Sequence, residues 1–310
     1  MSLREYRFID LFAGIGGFHI ALHRLGGKCV FASEIDKHAR LTYQHNLKHI
    51  SPELFKDDLF NDDILKINAP ETQIPDFDIL CAGFPCQPFS QAGYKLGFNE
   101  IKDSRGNMFF RICKILEAKR PKAFFLENVR HLIKHDDGRT FSEIKRLLTE
   151  ELGYTFAYKV VKASDHGLPQ HRPRVFIVGF RKDTEDLPEF RFPPPEPLIM
   201  NMSDVFGLPC SKKIGYTLRV GGKGSDLHDR RNWDGYLVNG KEVRITPKEG
   251  KRMMGLPDDF SFPVSDTQAL KQLGNSVAVN AVEATACKIM QYLDMNHNMF
   301  QASQSDEKVA

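Results

Sequence analysis

Three short apolar runs, each ended abruptly by turn-forming or charged residues, constrain the fold of this chain more than any other feature. Phe8-Ile9-Asp10-Leu11-Phe12 passes into Ala13-Gly14-Ile15-Gly16-Gly17-Phe18 and a helix-like stretch through Leu25. Phe77-Asp78-Ile79-Leu80-Cys81-Ala82 passes through Gly83 into Phe84-Pro85-Cys86-Gln87-Pro88-Phe89-Ser90, and Lys122-Ala123-Phe124-Phe125-Leu126 passes into Glu127-Asn128-Val129. A short apolar run closed by glycine or proline reads as a buried strand leaving its sheet. Open α/β sheets keep their chemistry outside the carboxyl ends of their strands. Three parallel neighbours would therefore bring a glycine loop, the Cys86 thiol and the Glu127 carboxylate to one crevice.

The rest of the chain fits that frame. Strand-like and helix-like segments alternate up to about Leu152, as in a doubly wound α/β sheet. Residues 28–32 read as the second strand and 37–46 as its helix, while 107–118 cross from the Cys86 strand to the Glu127 strand. Residues 155–161 and 175–180 are β-rich. The style changes at Pro188, because Phe190-Arg191-Phe192-Pro193-Pro194-Pro195-Glu196-Pro197 continues neither a helix nor a central strand. Beyond this linker come a Gly-rich basic stretch, a helix-like segment at 247–254 and a final helix over about 277–293. The polar tail from Asn296 is expected to fray.

At 310 residues the chain is long enough for one large core or two domains and needs no covalent staples. Its six cysteines are irregularly spaced without a C-x-x-C pair, which fits a reduced, cytoplasmic protein and neither a disulfide framework nor a zinc site. Cys29, Cys81, Cys113, Cys210 and Cys287 read as small neutral packing residues. The i,i+4 pairs His19/His23 and His45/His49 have metal-ligand spacing but lack H-E-x-x-H or nearby cysteines, so no metal is expected. No apolar run is long enough to span a membrane, and the first residues lead into a strand rather than a signal-peptide core. Net charge is +3, unevenly distributed: residues 211–252 hold eleven Lys and Arg against five Asp and Glu, so +6 sits there and −3 elsewhere. A basic segment on a slightly acidic body points to a polyanion-facing lobe.

Six motifs in order carry a family resemblance: the Gly-rich segment from Phe12 to Phe18, Pro85-Cys86-Gln87, Glu127-Asn128-Val129, Gln170-x-Arg172-x-Arg174, Arg244-x-Thr246-Pro247-x-Glu249 and Gly274-Asn275-Ser276-Val277. The chain resembles the DNA cytosine-5 methyltransferases of bacterial restriction-modification systems from about Phe8 to Val277. The resemblance implies a Rossmann-like methyltransferase sheet in a discontinuous catalytic domain, residues 1–189 plus 271–310. Residues 190–270 would form a small inserted target-recognition domain and hinge.

The glycine loop departs from G-x-G-x-x-G because His19 occupies the third glycine position, which disfavours a nicotinamide dinucleotide. Glu34 closes the second strand where a carboxylate accepts ribose hydroxyls. The resemblance makes the ligand S-adenosylmethionine. Phe12, Gly14, Gly16 and Gly17 would line its methionine end, with Glu34 on the ribose and Asp58, beside Leu59, on the adenine amino group. Ile35 stands where relatives place an aromatic residue, and Pro85, Asn275 and Val277 complete the pocket.

Cytosine C5 accepts a methyl group only after a nucleophile adds at C6, and a thiolate both adds and leaves readily. Cys86 is the expected nucleophile. Glu127 is the expected acid at N3, its carboxyl raised by desolvation, and Arg172 and Arg174 are expected on O2 and nearby phosphates. A paired cytosine must be flipped out of the duplex to be reached. Residues 87–106 have the make-up of a lid, with Gln87, Ser90 and Arg105 toward the DNA. Thr217, Arg219, Lys223, Arg230 and Arg231 are the expected base or phosphate contacts in the insert. A separately encoded restriction endonuclease and a monomer on double-stranded DNA follow from the same resemblance. A tRNA cytosine-5 methyltransferase of the same fold would carry a Cys-Phe-Thr signature, which the latter half lacks, and an idle DNA-binding protein would not need Cys86, Glu127 and Arg172 together.

Overall fold

The computed structural model describes residues 4–85, 108–182 and 188–307, with side chains described as far as residue 296. A seven-stranded sheet in the order β3-β2-β1-β4-β5-β7-β6 forms its centre. Its strands are β1 (Arg7–Leu11), β2 (Lys28–Ser33), β3 (Phe60–Asn61), β4 (Ile79–Gly83), β5 (Ala123–Val129), β6 (Ala157–Lys162) and β7 (Pro173–Phe180). The strands from β3 to β5 are parallel, and β7 lies antiparallel between β5 and β6. The runs of Phe8, Leu80 and Phe124 are nearly uniformly apolar because a parallel sheet is covered on both faces.

Alternation along the strands sends residues to two cores. Phe8, Ala32, Cys81 and Phe125 face α1 (Gly17–Arg24), α2 (Lys37–Leu47) and the terminal helix. Ile9, Leu11, Leu80, Phe124 and Leu126 face Phe109, Ile112, Ile115 and Leu116 of the crossover helix Met108–Lys119. Two short helices, α3 (Glu53–Lys56) and α4 (Pro70–Gln73), precede that crossover, which is α5. α6 (Arg139–Arg146) follows β5.

The expected parallel neighbours β1, β4 and β5 are adjacent, and their ends are level. Leu11 pairs with Ala82, Ala82 with Leu126, and Gly83 with Glu127. Chain order runs outward from β1 to β3 on one side and from β4 to β5 on the other, so the topological switch lies between β1 and β4. A crevice opens at such a switch because the connections leave it in opposite directions.

Beyond the proline-rich segment come α7 (Met202–Phe206) and a separate hairpin of β8 (Gly235–Val238) and β9 (Lys241–Arg244). α8 (Pro247–Met253) starts with Pro247 and a capping box in which Thr246 and Glu249 satisfy each other's backbone ends. α9 (Asp266–Asn275) and α10 (Val279–Glu307) return to the sheet, α10 against α1. Trp233, Tyr236, Leu218 and Met253 join the same core as α1 and α10. The hairpin, α6 and α9 were not anticipated from the sequence. The helix also continues past Asn296 to Glu307, where fraying was expected. Ala281, Val282, Ala286 and Ile289 bury its first half, and once a helix is anchored each further residue adds a hydrogen bond without a new nucleation cost. No helix among the described residues is long and apolar enough to cross a membrane.

Candidate active site at the strand ends

A cavity of about 580 Å3 occupies the crevice. Phe12 and Gly14 after β1, Glu34 and Ile35 after β2, Gly83 and Pro85 after β4, Glu127 after β5, Arg174 on β7 and Asn275 at the end of α9 all line it. These side chains come from separate strand ends and one helix end, so no local segment creates the site.

At the glycine loop, Gly14 has φ +56°, and a Cβ built on it would meet nothing within 4 Å. The open side faces the cavity, and the backbone N–H of Gly14 donates to Glu34 Oε2 at 2.8 Å. Glu34 Oε1 accepts from the Asp36 N–H at 2.7 Å, so this carboxylate ties the loop to the end of β2 while keeping lone pairs for a ligand. Burial pushes its pKa up against those hydrogen bonds. Phe12 holds φ 56°, a conformation that costs a non-glycine residue about 1–3 kcal/mol and persists where surrounding structure imposes it.

Gly16 and Gly17 do something different. They are not cavity residues: a Cβ on Gly16 would lie 2.4 Å from Leu47 Cδ1, and one on Gly17 would lie 2.5 Å from Val277 Cγ2. They let α1 approach α2 and the 276–277 segment closely. Val277 is correspondingly buried behind the wall, while Asn275 lines it. His19, in the third glycine position, is fully buried, with Nδ1 2.7 Å from the Tyr43 hydroxyl and Nε2 2.9 Å from Ser51 Oγ. Burial lowers its pKa to about 3, so it packs as neutral imidazole.

The adenine assignment needs correction. Asp58 is exposed in a turn at φ 54°, and Leu59 packs against the core; neither lines the cavity. Asp63, just past β3, does line it, and its Oδ1 caps the following turn by accepting from the Leu65 N–H at 2.9 Å. The sequence offered a signal in Asp62-Asp63 just after the strand at Phe60, but the Asp57-Asp58 pair before it masked the choice. Ile35 lines the cavity at 72% exposure, an apolar side chain left open at its rim. A nucleoside fits this set: carboxylates at Glu34 and Asp63 accept from hydroxyl and amine groups, Ile35 supplies an apolar face, and Gly14 leaves room for close backbone approach.

At the other end, Glu127 is 7% exposed and its Oε1 lies 2.9 Å from Arg174 Nε. Desolvation raises its pKa while Arg174 and Arg172 oppose the rise. Beside it, Asn128 Nδ2 donates to the Phe84 carbonyl at 2.8 Å, fastening β5 to the backbone that leads into Pro85. The sequence placed Asn128 in the Glu127-Asn128-Val129 motif but gave it no role of its own, because the partner it holds lies on another strand's end.

Arg172 is the second correction. It does not line the cavity but is fully buried, donating from Nη1 to Leu218 O at 3.1 Å and from Nη2 to Gly274 O at 2.8 Å and to Ser276 O. With its terminal nitrogens on backbone carbonyls it is a strut rather than a hand for substrate. Cys86, Gln87, Ser90 and Arg105 lie outside the described residues, as does the expected lid over 87–106.

In the basic segment, Thr217, Arg219 and Arg230 line a second cavity of about 510 Å3. Arg231 pairs with Asp229 at 2.7 Å, and Lys223 is exposed on the glycine loop. That loop is anchored from below: Trp233 Nε1 donates to Gly221 O at 2.9 Å and the Gly224 N–H donates to Asp234 Oδ2 at 3.2 Å. Leu218, next to Thr217, is buried and packs inward.

The family of C-5 cytosine-specific DNA methylases matches residues 6–232 and 219–291. Type II methyltransferase M.DsaV of Dactylococcopsis salina is 40% identical over 95% of this chain and 89% of its own length. M.HpaII of Haemophilus parainfluenzae is 40% identical over 94% of this chain and 91% of its own, and M.HhaI of Haemophilus parahaemolyticus is 38% identical over 93% and 95%. Among solved structures, a Spodoptera frugiperda DNMT2 variant superposes with a TM-score of 0.66 at 20% identity, covering 92% of this chain and 99% of that one. Schizosaccharomyces pombe Dnmt2 follows at 0.64 and 16%, over 93% and 98%. At those identities the structural likeness speaks to the fold alone.

Proposed function

Because this chain belongs to the C-5 cytosine-specific DNA methylases, we propose that its crevice methylates C5 of a flipped-out cytosine in duplex DNA, with Cys86 as nucleophile and Glu127 as acid. The enzyme is a DNA cytosine-5 methyltransferase of the restriction-modification type that uses S-adenosylmethionine. The observation carrying the residue assignment is that Pro85, one residue before Cys86, lines the same cavity as Glu127, Gly14 and Asn275.

S-adenosylmethionine supplies the electrophilic methyl group when bound. Phe12, Gly14, Glu34, Ile35, Asp63 and Asn275 would hold it. The chain's own residues activate the base. The Cys86 thiolate adds to C6, and the electron pair of the C5–C6 double bond moves toward N3 and O2. Glu127, kept protonated more readily by its burial, meets that charge at N3, and Arg174 holds the carboxyl in place and adds positive charge beside it. Once C5 has taken the methyl group, with S-adenosylhomocysteine as the leaving group, a water molecule removes the C5 proton, the C5–C6 double bond reforms as the Cys86 thiolate leaves, and the N3 proton returns to Glu127. Arg172 takes no part in contact with the base.

Residues 190–270 serve as recognition insert in this reading, with Thr217, Arg219 and Arg230 toward the DNA and Lys223 on phosphate. The enzyme acts as a cytoplasmic monomer beside a separately encoded endonuclease. Sequencing methylated cytosines in DNA from cells expressing the protein tests the function: 5-methylcytosine at one recurring short sequence is expected, and unmodified DNA with methylated tRNA would sink the assignment.

A further inference from the structure

The residues that read DNA and those that hold the cofactor meet backbone to backbone, through Arg172. Its guanidinium bridges two segments far apart in sequence: Leu218 of the insert by one nitrogen, and Gly274 and Ser276 by the other. Gly274 and Ser276 flank Asn275, which lines the cofactor cavity. Gln170 doubles the attachment, accepting from the Leu218 N–H at 3.0 Å and donating to Met253 O at 3.1 Å. Both peptide groups of Leu218 are thus held by side chains of the 170–172 segment. Pulling them apart would leave buried carbonyls and a buried cation without partners, which is costly enough that the segments move together.

Gly274 removes the last compliant layer between them. A Cβ there would sit 2.7 Å from Arg219 C, 2.8 Å from Arg219 O and 2.9 Å from Val220 N. The backbone of Arg219 and Val220 therefore rests on the helix end that walls the cofactor site, with no side chain to absorb a shift. Glycine is needed here for contact, not for conformation, because its φ is outside the left-handed region.

We propose that Arg172 and Gly274 couple DNA readout to cofactor binding: engagement of Thr217 and Arg219 with the correct sequence sets the position of Asn275 and raises affinity for S-adenosylmethionine. Arg172 is thereby a positioning residue. The inference rests on the methyltransferase reading, and linkage makes it reciprocal, so cofactor must tighten DNA binding by the same factor.

The test measures S-adenosylmethionine affinity with and without duplex carrying the mapped site, in a Cys86→Ser background so that nothing turns over. Couplings between sites are commonly about 5–150-fold, and a ratio of at least about fivefold is expected. Arg172→Met should bring the ratio to within about twofold of one while each ligand still binds alone, Arg172→Lys should recover part of it, and Gly274→Ala should reduce it without deleting any hydrogen bond. A strut that served folding alone would lower thermal stability and leave the ratio unchanged. A ratio near one in the Cys86→Ser background, or an undiminished ratio in Gly274→Ala, overturns the proposal; the latter variant decides should Arg172→Met fail to fold. If the native enzyme methylates its site yet the ratio does not respond, only the coupling falls. If it methylates no DNA, the functional reading falls and takes the coupling with it.

Discussion

In the crevice the functional charges are buried and hold one another, whereas in the basic segment they stand in solvent and hold their neighbours in sequence. Glu127 and Arg174 come from different strands and meet at 2.9 Å with side-chain exposures of 10% and 16%. Arg231 and Asp229 are two residues apart, and Arg231 is 75% exposed. The first pair is aligned before any ligand arrives, and a desolvated site strengthens every charge in it. The second contributes little in water and is screened by salt. In the proposed mechanism the chemistry is preorganised, and recognition is left to side chains that adjust on a loop pinned by Trp233 and Asp234.

That contrast can be broken at its strongest point first. Cys86→Ser should abolish methyl incorporation and the covalent adduct with duplex containing 5-fluorocytosine, in which fluorine at C5 cannot depart as the proton does. A serine enzyme with near-native turnover would move the nucleophile elsewhere. Glu127→Gln should slow single-turnover methylation by about a hundred- to ten-thousandfold with DNA affinity little changed, the range expected of general acid–base help. A loss of only a few-fold would mean that preorganised charge at this edge is not the source of catalysis.

On the recognition side the effects should be smaller and sequence-dependent. Arg219→Ala should cost about 1–3 kcal/mol of discrimination between the mapped site and a one-base variant. Arg231→Ala should instead weaken both DNAs alike and reduce the salt slope by about one or less, since Asp229 already holds its guanidinium. Equal losses on both DNAs for Arg219→Ala would remove it from base reading.

The smallest effect sharpens the role of burial beneath the crevice. Asp10 lies fully buried on β1, and desolvation raises its pKa well above the ordinary value near 3.8 even against the nearby His19 backbone N–H. As pH rises past that ordinary value the unfolded chain releases this proton while the folded chain keeps it, so the folded state loses relative stability until its own pKa is passed. Asp10→Asn carries no such penalty. The melting temperature of Asp10→Asn minus that of the native protein should therefore increase with pH above about 4, by about 2–4 °C for each kcal/mol. A difference that stays constant with pH would show that Asp10 keeps its charge state on folding.

Much of the crevice was legible in the chain because strand ends announce themselves locally. An apolar run cut off by glycine, proline or a carboxylate marks where a strand leaves its sheet, and that located Gly14, Pro85 and Glu127. Side-chain burial announces nothing of the kind. Arg172 and Arg174 are two residues apart in one motif, yet Arg174 reaches the cavity and Arg172 is sealed behind it. Asp58 and Asp63 differ in sequence only by their side of a two-residue strand, and only Asp63 reaches the pocket.

By itself, then, the sequence determined the family, the doubly wound sheet and the residue types that meet at its rim, because strand periodicity and turn chemistry act over a few neighbouring residues. Only the tertiary structure decided which of those residues face the cavity and which support it. Gly16 and Gly17 turned out to be packing residues, Arg172 a strut and Asn128 a fastener, each because its partner lies many residues away and close packing, not local pattern, selects it.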